Sequence, residues 1–213
     1  MTTTTKPNRQ LRMNEVLLHQ LDWHWRGQLR PRLDGLVDEE YFWAPTPGAW
    51  NVHPRGEGLT EMQGGGGDFT IDFAHPEPNP APVTTIAWRL SHLIVGVLGV
   101  RIHAHFNGPE VDYLGFDYAG TADHALAQLD VAYASWVAGV RAWGEDGLAG
   151  ECGVAEGPWS EHSHADLVAH INREVIHHGA EIALLRDLWA HRNNVADRPA
   201  DGPAHHQIDK VVN

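Results

Sequence analysis

Apolar residues recur at steps of three and four along four stretches of the chain, and each stripe predicts a helix. The first carries Leu18, Leu21, Trp25 and Leu29 from about Leu11. Pro31 should bend or end it, leaving a further turn through Leu33 and Leu36. The second runs to about Phe106 from a cap at Thr84 or Thr85 and is apolar nearly all round, which marks it as central. The third begins at Thr121 and aligns Leu126, Leu129, Tyr133, Trp136, Val140 and Trp143. The fourth, capped by Ser163, aligns Leu167, Ile171, Ile182, Leu185 and Trp189. Helices are therefore expected near 11–36, 84–106, 121–143 and 163–191.

The intervals read differently. Glu39 to Trp50 is aromatic-rich and should pack on the helices. Arg55 to Asp68, with the run Gly64 to Gly67, reads as a mobile loop, and His75 to Pro82 as extended chain. No series of alternating positions argues for strands. The expected fold class is all-α, an antiparallel four-helix bundle, with residues 40–83 as a long outer connection between helices 1 and 2. Residues 1–10 are expected to be disordered, 11–192 to form the bundle and 193–213 to be a flexible tail.

Two polar residues interrupt the fourth stripe. Glu174 and His178 lie one turn apart on its apolar face. A carboxylate and an imidazole in a core are costly unless hydrogen-bonded, paired or bound to metal. Their i,i+4 spacing lets both reach one ion, or lets them form a polar contact that braces two helices. His92 interrupts the second stripe, where a lone histidine on an apolar face is more often a satisfied core residue than a ligand. Gly96 and Gly99 in that helix weaken it and suggest close approach of another group. His103 and His105, in its last turn, read as structural.

Composition narrows the partners. A formal charge of -13 argues against nucleic acid, which needs a basic surface. No run of about 18 apolar residues is present to span a membrane, and the polar start does not read as a signal peptide. Cys152 is the only cysteine, so no internal disulfide forms and a cytoplasmic location fits. It lies in a loop without basic neighbours, which argues against a nucleophile.

The stretches Thr84-Thr85-Ile86-Ala87-Trp88-Arg89-Leu90-Ser91-His92 and Asn172 to Ile182, followed by Leu184-Leu185-Arg186, resemble the DinB/YfiT-like superfamily. The match is to its actinobacterial branch, with mycothiol-dependent maleylpyruvate isomerase and mycothiol S-transferases. The resemblance implies a four-helix bundle holding a divalent ion on three side chains, here His92, Glu174 and His178. Many members have His where this chain has Glu174, which leaves zinc, nickel and iron open. His177 lies about 100° round the helix from His178 and ranks below it.

The function implied is a metal-dependent thiol transferase or isomerase. Mycothiol or a similar low-molecular-weight thiol would be the cosubstrate and a small electrophile its partner. Trp50, Asn51, Arg55 and Arg89 are candidates for the thiol or substrate approach, and the Gly-rich loop could be a lid or plain surface slack. The alternative is a non-catalytic, metal-binding or stress-associated protein of the same fold. A homodimer is compatible with the family, though no surface stripe demands it.

Overall fold

The computed structural model describes residues 11–193; the expectations for 1–10 and for the tail beyond 193 lie outside the described residues. Four long helical segments supply most of the core. The first comprises Met13–His24, a π-helical stretch Trp25–Leu29 and a last turn Arg30–Arg32. Pro31 sits in that last turn, and the turn after it buries Leu33 and Leu36. The second comprises Ile86–His92, a π-helical stretch Leu93–Gly99 and Val100–Phe106. The third is Ala122–Leu148, broken at Gly144, whose φ of 59° and ψ of -162° leave the helical region. The fourth is His164–His191.

Their starts follow local chemistry. Thr85 accepts a hydrogen bond from the Trp88 amide and Thr121 from the His124 amide. Ser163 and Asp166 form a reciprocal capping box. The first segment packs on the third and fourth, and the second packs on both of these as well. Their shared interior holds Leu21, Leu90, Leu93, Leu129, Trp136 and Ile171, all 1% exposed or less. Trp25 stacks on Tyr133 with ring centroids 3.9 Å apart. Truncating a filled position such as Trp136 to Ala should cost about 3–5 kcal/mol.

The connection between the first two segments differs from the expectation. Residues 52–73 fold into a three-stranded antiparallel sheet of β1 (Val52–Pro54), β2 (Met62–Gly64) and β3 (Phe69–Phe73), in the order β1-β3-β2. Val52 pairs with Ile71, and Ile71 in turn with Gly64. The fold is thus mostly helical but not all-α. The buried Asp72 carboxylate ties the sheet together, accepting from the Asn51 and Leu59 amides and pairing with His53 Nε2 at 2.9 Å.

The glycine run is not surface slack but part of the packing. The Gly65 and Gly66 amides donate to the Leu114 and Phe116 carbonyls, so the segment before the third helix lies against the sheet. A Cβ at Gly64 or Gly66 would collide with the carbonyl of Tyr113 or Gly115. Glycine is needed there because two backbones meet. On the opposite side, the Trp50 amide donates to the Val83 carbonyl and the Thr85 amide to the Trp50 carbonyl. The sheet is thereby fixed to the start of the second helical segment.

Candidate metal centre

His92 ends the regular part of the second segment, at the point where its winding widens into the π-helical stretch. Such widenings are frequent at functional sites because they turn a side chain out of the regular helical register. Glu174 and His178 project from successive turns of the fourth segment. One ligand atom from each of His92, Glu174 and His178 lies within 4.8 Å of the other two. The His92 and His178 rings stand perpendicular, with centroids 4.7 Å apart. His178 Nε2 is 3.4 Å from Glu174 Oε2, close to the roughly 3.4 Å that separates two ligand atoms bound tetrahedrally to zinc.

Each imidazole is oriented through its other nitrogen. His178 Nδ1 donates to Glu181 Oε2 at 2.7 Å, and Arg89 Nε holds that carboxylate at 3.1 Å. His92 Nδ1 lies 2.6 Å from the Tyr113 hydroxyl. In the tautomer that carries the proton on Nδ1, each ring leaves its Nε2 lone pair for a third party. Carboxylate–imidazole pairing of this kind orients metal-binding histidines and raises their basicity. Burial, with repulsion from His178, Arg89 and Arg101, pushes His92 down to about 3. Its imidazole is therefore neutral at pH 7, the form that binds metal. Burial raises Tyr113 to about 12, which keeps the phenol protonated. Two imidazole nitrogens and one carboxylate make a donor set that fits a divalent ion with an open position.

Glu174 departs from the core position its stripe predicts. Its side chain keeps 31% of its exposure, whereas that of His178 keeps 9%. Solvent contact spares the carboxylate a full desolvation penalty. His177 points outward and joins His178 and Glu181 in a second, more exposed grouping, with Nε2 3.5 Å from Glu181 Oε1.

The other candidates fall into two pairs. Trp50 lines a cavity of about 330 Å³ together with Phe73, Trp88, His92 and Tyr113. Arg89 reaches the centre indirectly, through Glu181. Asn51 does not line this cavity: its amide donates to the Phe42 carbonyl and its oxygen accepts from Thr85 Oγ1 and the Val52 amide. Arg55 is occupied in the sheet, donating to the Gly65 and Gly67 carbonyls. Cys152 is buried and its thiol donates to the Ser163 carbonyl, while burial raises its pKa.

Tyr113 and Glu181 escaped the sequence reading. Tyr113 lies in an irregular segment with no spacing signal, but Gly96 carried a trace of it. A Cβ at Gly96 would overlap the Tyr113 hydroxyl, so this glycine is the gap through which the phenol reaches His92. Glu181 stands three residues after His178, off the apolar stripe, where an acidic residue looks like ordinary surface.

No helix among the described residues is long and apolar enough to cross a membrane. No curated protein and no solved structure matches the chain. Residues 20–182 match the model of the DinB superfamily, a span that contains all four helical segments in whole or in large part as well as the three centre residues. The chain belongs to the DinB superfamily.

Proposed function

We propose that this protein is a metal-dependent thiol transferase or isomerase in which His92, Glu174 and His178 hold a divalent ion, zinc first, with nickel or iron as alternatives. One observation carries the reading: both imidazoles are pre-oriented through Nδ1, by Glu181 and by Tyr113, toward a point they share with Glu174. A polar contact that only braced two helices would need neither partner. The antiparallel four-helix bundle is the arrangement this reading assigns to the four segments.

When bound, such an ion supplies positive charge that favours the ionised form of a coordinating thiol at neutral pH. The chain's own residues do the rest. Glu181 and Tyr113 fix the two rings through Nδ1. Arg89 holds Glu181 in the position that His178 requires. Trp50, Phe73 and Trp88 give the adjoining cavity apolar walls beside the polar Asp72, His75 and Glu77, a lining that suits a small, flat electrophile. The cavity volume is at the low end of the roughly 300–1,000 Å³ usual for small-molecule sites. The one cysteine offers no competing thiolate, since Cys152 is buried and its thiol is held neutral. An external thiol of the mycothiol type is therefore the cosubstrate, as in the actinobacterial branch, and the cytoplasm is the compartment.

The test is calorimetric titration of zinc-loaded protein with mycothiol and with N-acetylcysteine amide. Binding to wild type, and none to His178→Ala, supports the reading. A loaded wild-type protein that binds no thiol at millimolar concentration leaves a metal-binding protein without this chemistry.

A further inference from the structure

A phenol hydroxyl has one proton to donate and lone pairs with which to accept. The Tyr113 hydroxyl meets His92 Nδ1 at 2.6 Å, and it has no other hydrogen-bond partner among the described residues. The direction of this bond depends on the other nitrogen of the ring. An ion on Nε2 takes the lone pair there and leaves the imidazole proton on Nδ1. Nδ1 then donates and the hydroxyl oxygen accepts. The phenol's own proton is left to find an acceptor elsewhere.

The surroundings of the hydroxyl limit where that proton can go. Gly96 closes one side, since a Cβ there would overlap the hydroxyl oxygen. The Gly96 carbonyl already accepts from Arg101 Nη1, and a guanidinium itself offers only donors. The cavity of about 330 Å³ lies on another side, with Tyr113 and His92 in its wall beside Trp50, Phe73 and Trp88. Asp72 also lines it, but its acceptors are engaged. Its carbonyl accepts from Trp88 Nε1, and its carboxylate from the Asn51 and Leu59 amides and His53. Glu77 stands exposed in the same wall. A part-buried donor without an acceptor is costly, so the cavity favours an occupant that brings one.

We propose that Tyr113, once His92 holds an ion, donates a hydrogen bond to an oxygen of the electrophile in this cavity. The inference rests on the function proposed above and narrows its substrate class. The electrophile carries a carbonyl or equivalent oxygen conjugated to the carbon that the thiol attacks. As sulfur forms its bond to that carbon, the π electron pair moves toward the oxygen, and the phenol meets the negative charge that develops there. The hydrogen bond strengthens in the transition state, which is how it speeds the step. The phenol keeps its proton throughout. Tyr113 is then a catalytic residue as well as the partner of His92.

The test uses the full chain in excess zinc and two inert ligands of similar shape, acetophenone and ethylbenzene, which differ in the carbonyl oxygen. Calorimetric titration reads their binding, and infrared spectra read the carbonyl stretch of bound acetophenone. Wild type should prefer acetophenone. Tyr113→Phe, which keeps the ring and is checked by circular dichroism, should weaken acetophenone about 3–10-fold and leave ethylbenzene unchanged. The carbonyl stretch should lie lower on wild type than on the variant. Excess zinc offsets the weaker metal affinity expected of the variant, so a phenol that only positioned His92 would alter neither preference nor stretch. Zinc-loaded wild type that binds neither ligand or shows no preference, or a stretch unchanged in Tyr113→Phe, overturns the proposal and leaves the metal centre standing. Wild type that takes up no zinc overturns both.

Discussion

Two histidine–glutamate clusters lie against the same helical core, and they are built on opposite plans. In the first, His105 and Glu156 have side chains 5% and 7% exposed and face each other at 3.0 Å. Arg101 takes the second carboxylate oxygen. His164 stacks on Trp143 with centroids 3.9 Å apart and binds the Gly147 carbonyl. The imidazole and the guanidinium there each take one oxygen of the carboxylate, so the Glu156 carboxyl is held below the usual carboxylate range, chiefly by the hydrogen bond from His105. In the second cluster, Glu181 and Tyr113 each take one nitrogen of a ring, and both rings stand within reach of Glu174. Burying a histidine beside an acid therefore does not define a site. The distinguishing feature is a set of donor atoms that the fold orients and does not satisfy.

The sharpest way to break this contrast is to remove one imidazole from each cluster. His178→Ala should drop zinc from about one equivalent to under about a tenth, because two donors hold zinc poorly. His105→Ala should retain its zinc. Mass-spectrometric metal analysis of the two purified variants reads the difference, and equal retention would erase the distinction.

A finer probe changes only the orienting groups. Tyr113→Phe leaves all three donors in place but removes the partner of His92 Nδ1, and it should weaken zinc binding about 10–100-fold. Gly96→Ala, whose methyl would displace the phenol, should reproduce that loss and add a packing penalty of about 1–3 kcal/mol. Competition with a chelating dye measures both, and a Tyr113→Phe affinity equal to wild type would make the phenol incidental.

The closed cluster should answer in stability rather than metal content. Glu156→Gln should cost about 1–3 kcal/mol in denaturant unfolding at pH 7. Since the folded carboxyl is depressed, its contribution is full above the unfolded value of about 4.3 and is lost as the pH falls through the lower folded value. The gap between wild type and variant should therefore close below about pH 4. A gap that widened in acid would contradict the pairing. The smallest effect belongs to Cys152→Ala: unchanged zinc and thiol binding, with destabilisation of about 1 kcal/mol for the buried sulfur.

The four helical segments were legible because three bury one face, which repeats an apolar stripe at helical spacing, and the second is apolar nearly all round. The sheet was not. Its strands are three to five residues long, and the glycines at the end of β2 look like loop until the segment that lies against them is known. Within the centre, His92, Glu174 and His178 stood out as polar residues on apolar stripes. Tyr113 and Glu181 did not, because a long-range contact from an irregular segment and an acid on a solvated face leave no periodic trace. Asn51 and Arg55 were candidates for the thiol or substrate approach; the structure commits both to hydrogen bonds that hold the connection.

The most direct test of the account is a zinc-edge anomalous difference map from crystals of untagged protein. The account predicts one peak, about 2.0–2.2 Å from His92 Nε2, His178 Nε2 and a Glu174 oxygen, with a further position open to solvent or thiol. A zinc-loaded crystal with no peak between these three side chains, or with its peak on His177 and Glu181 instead, would contradict it.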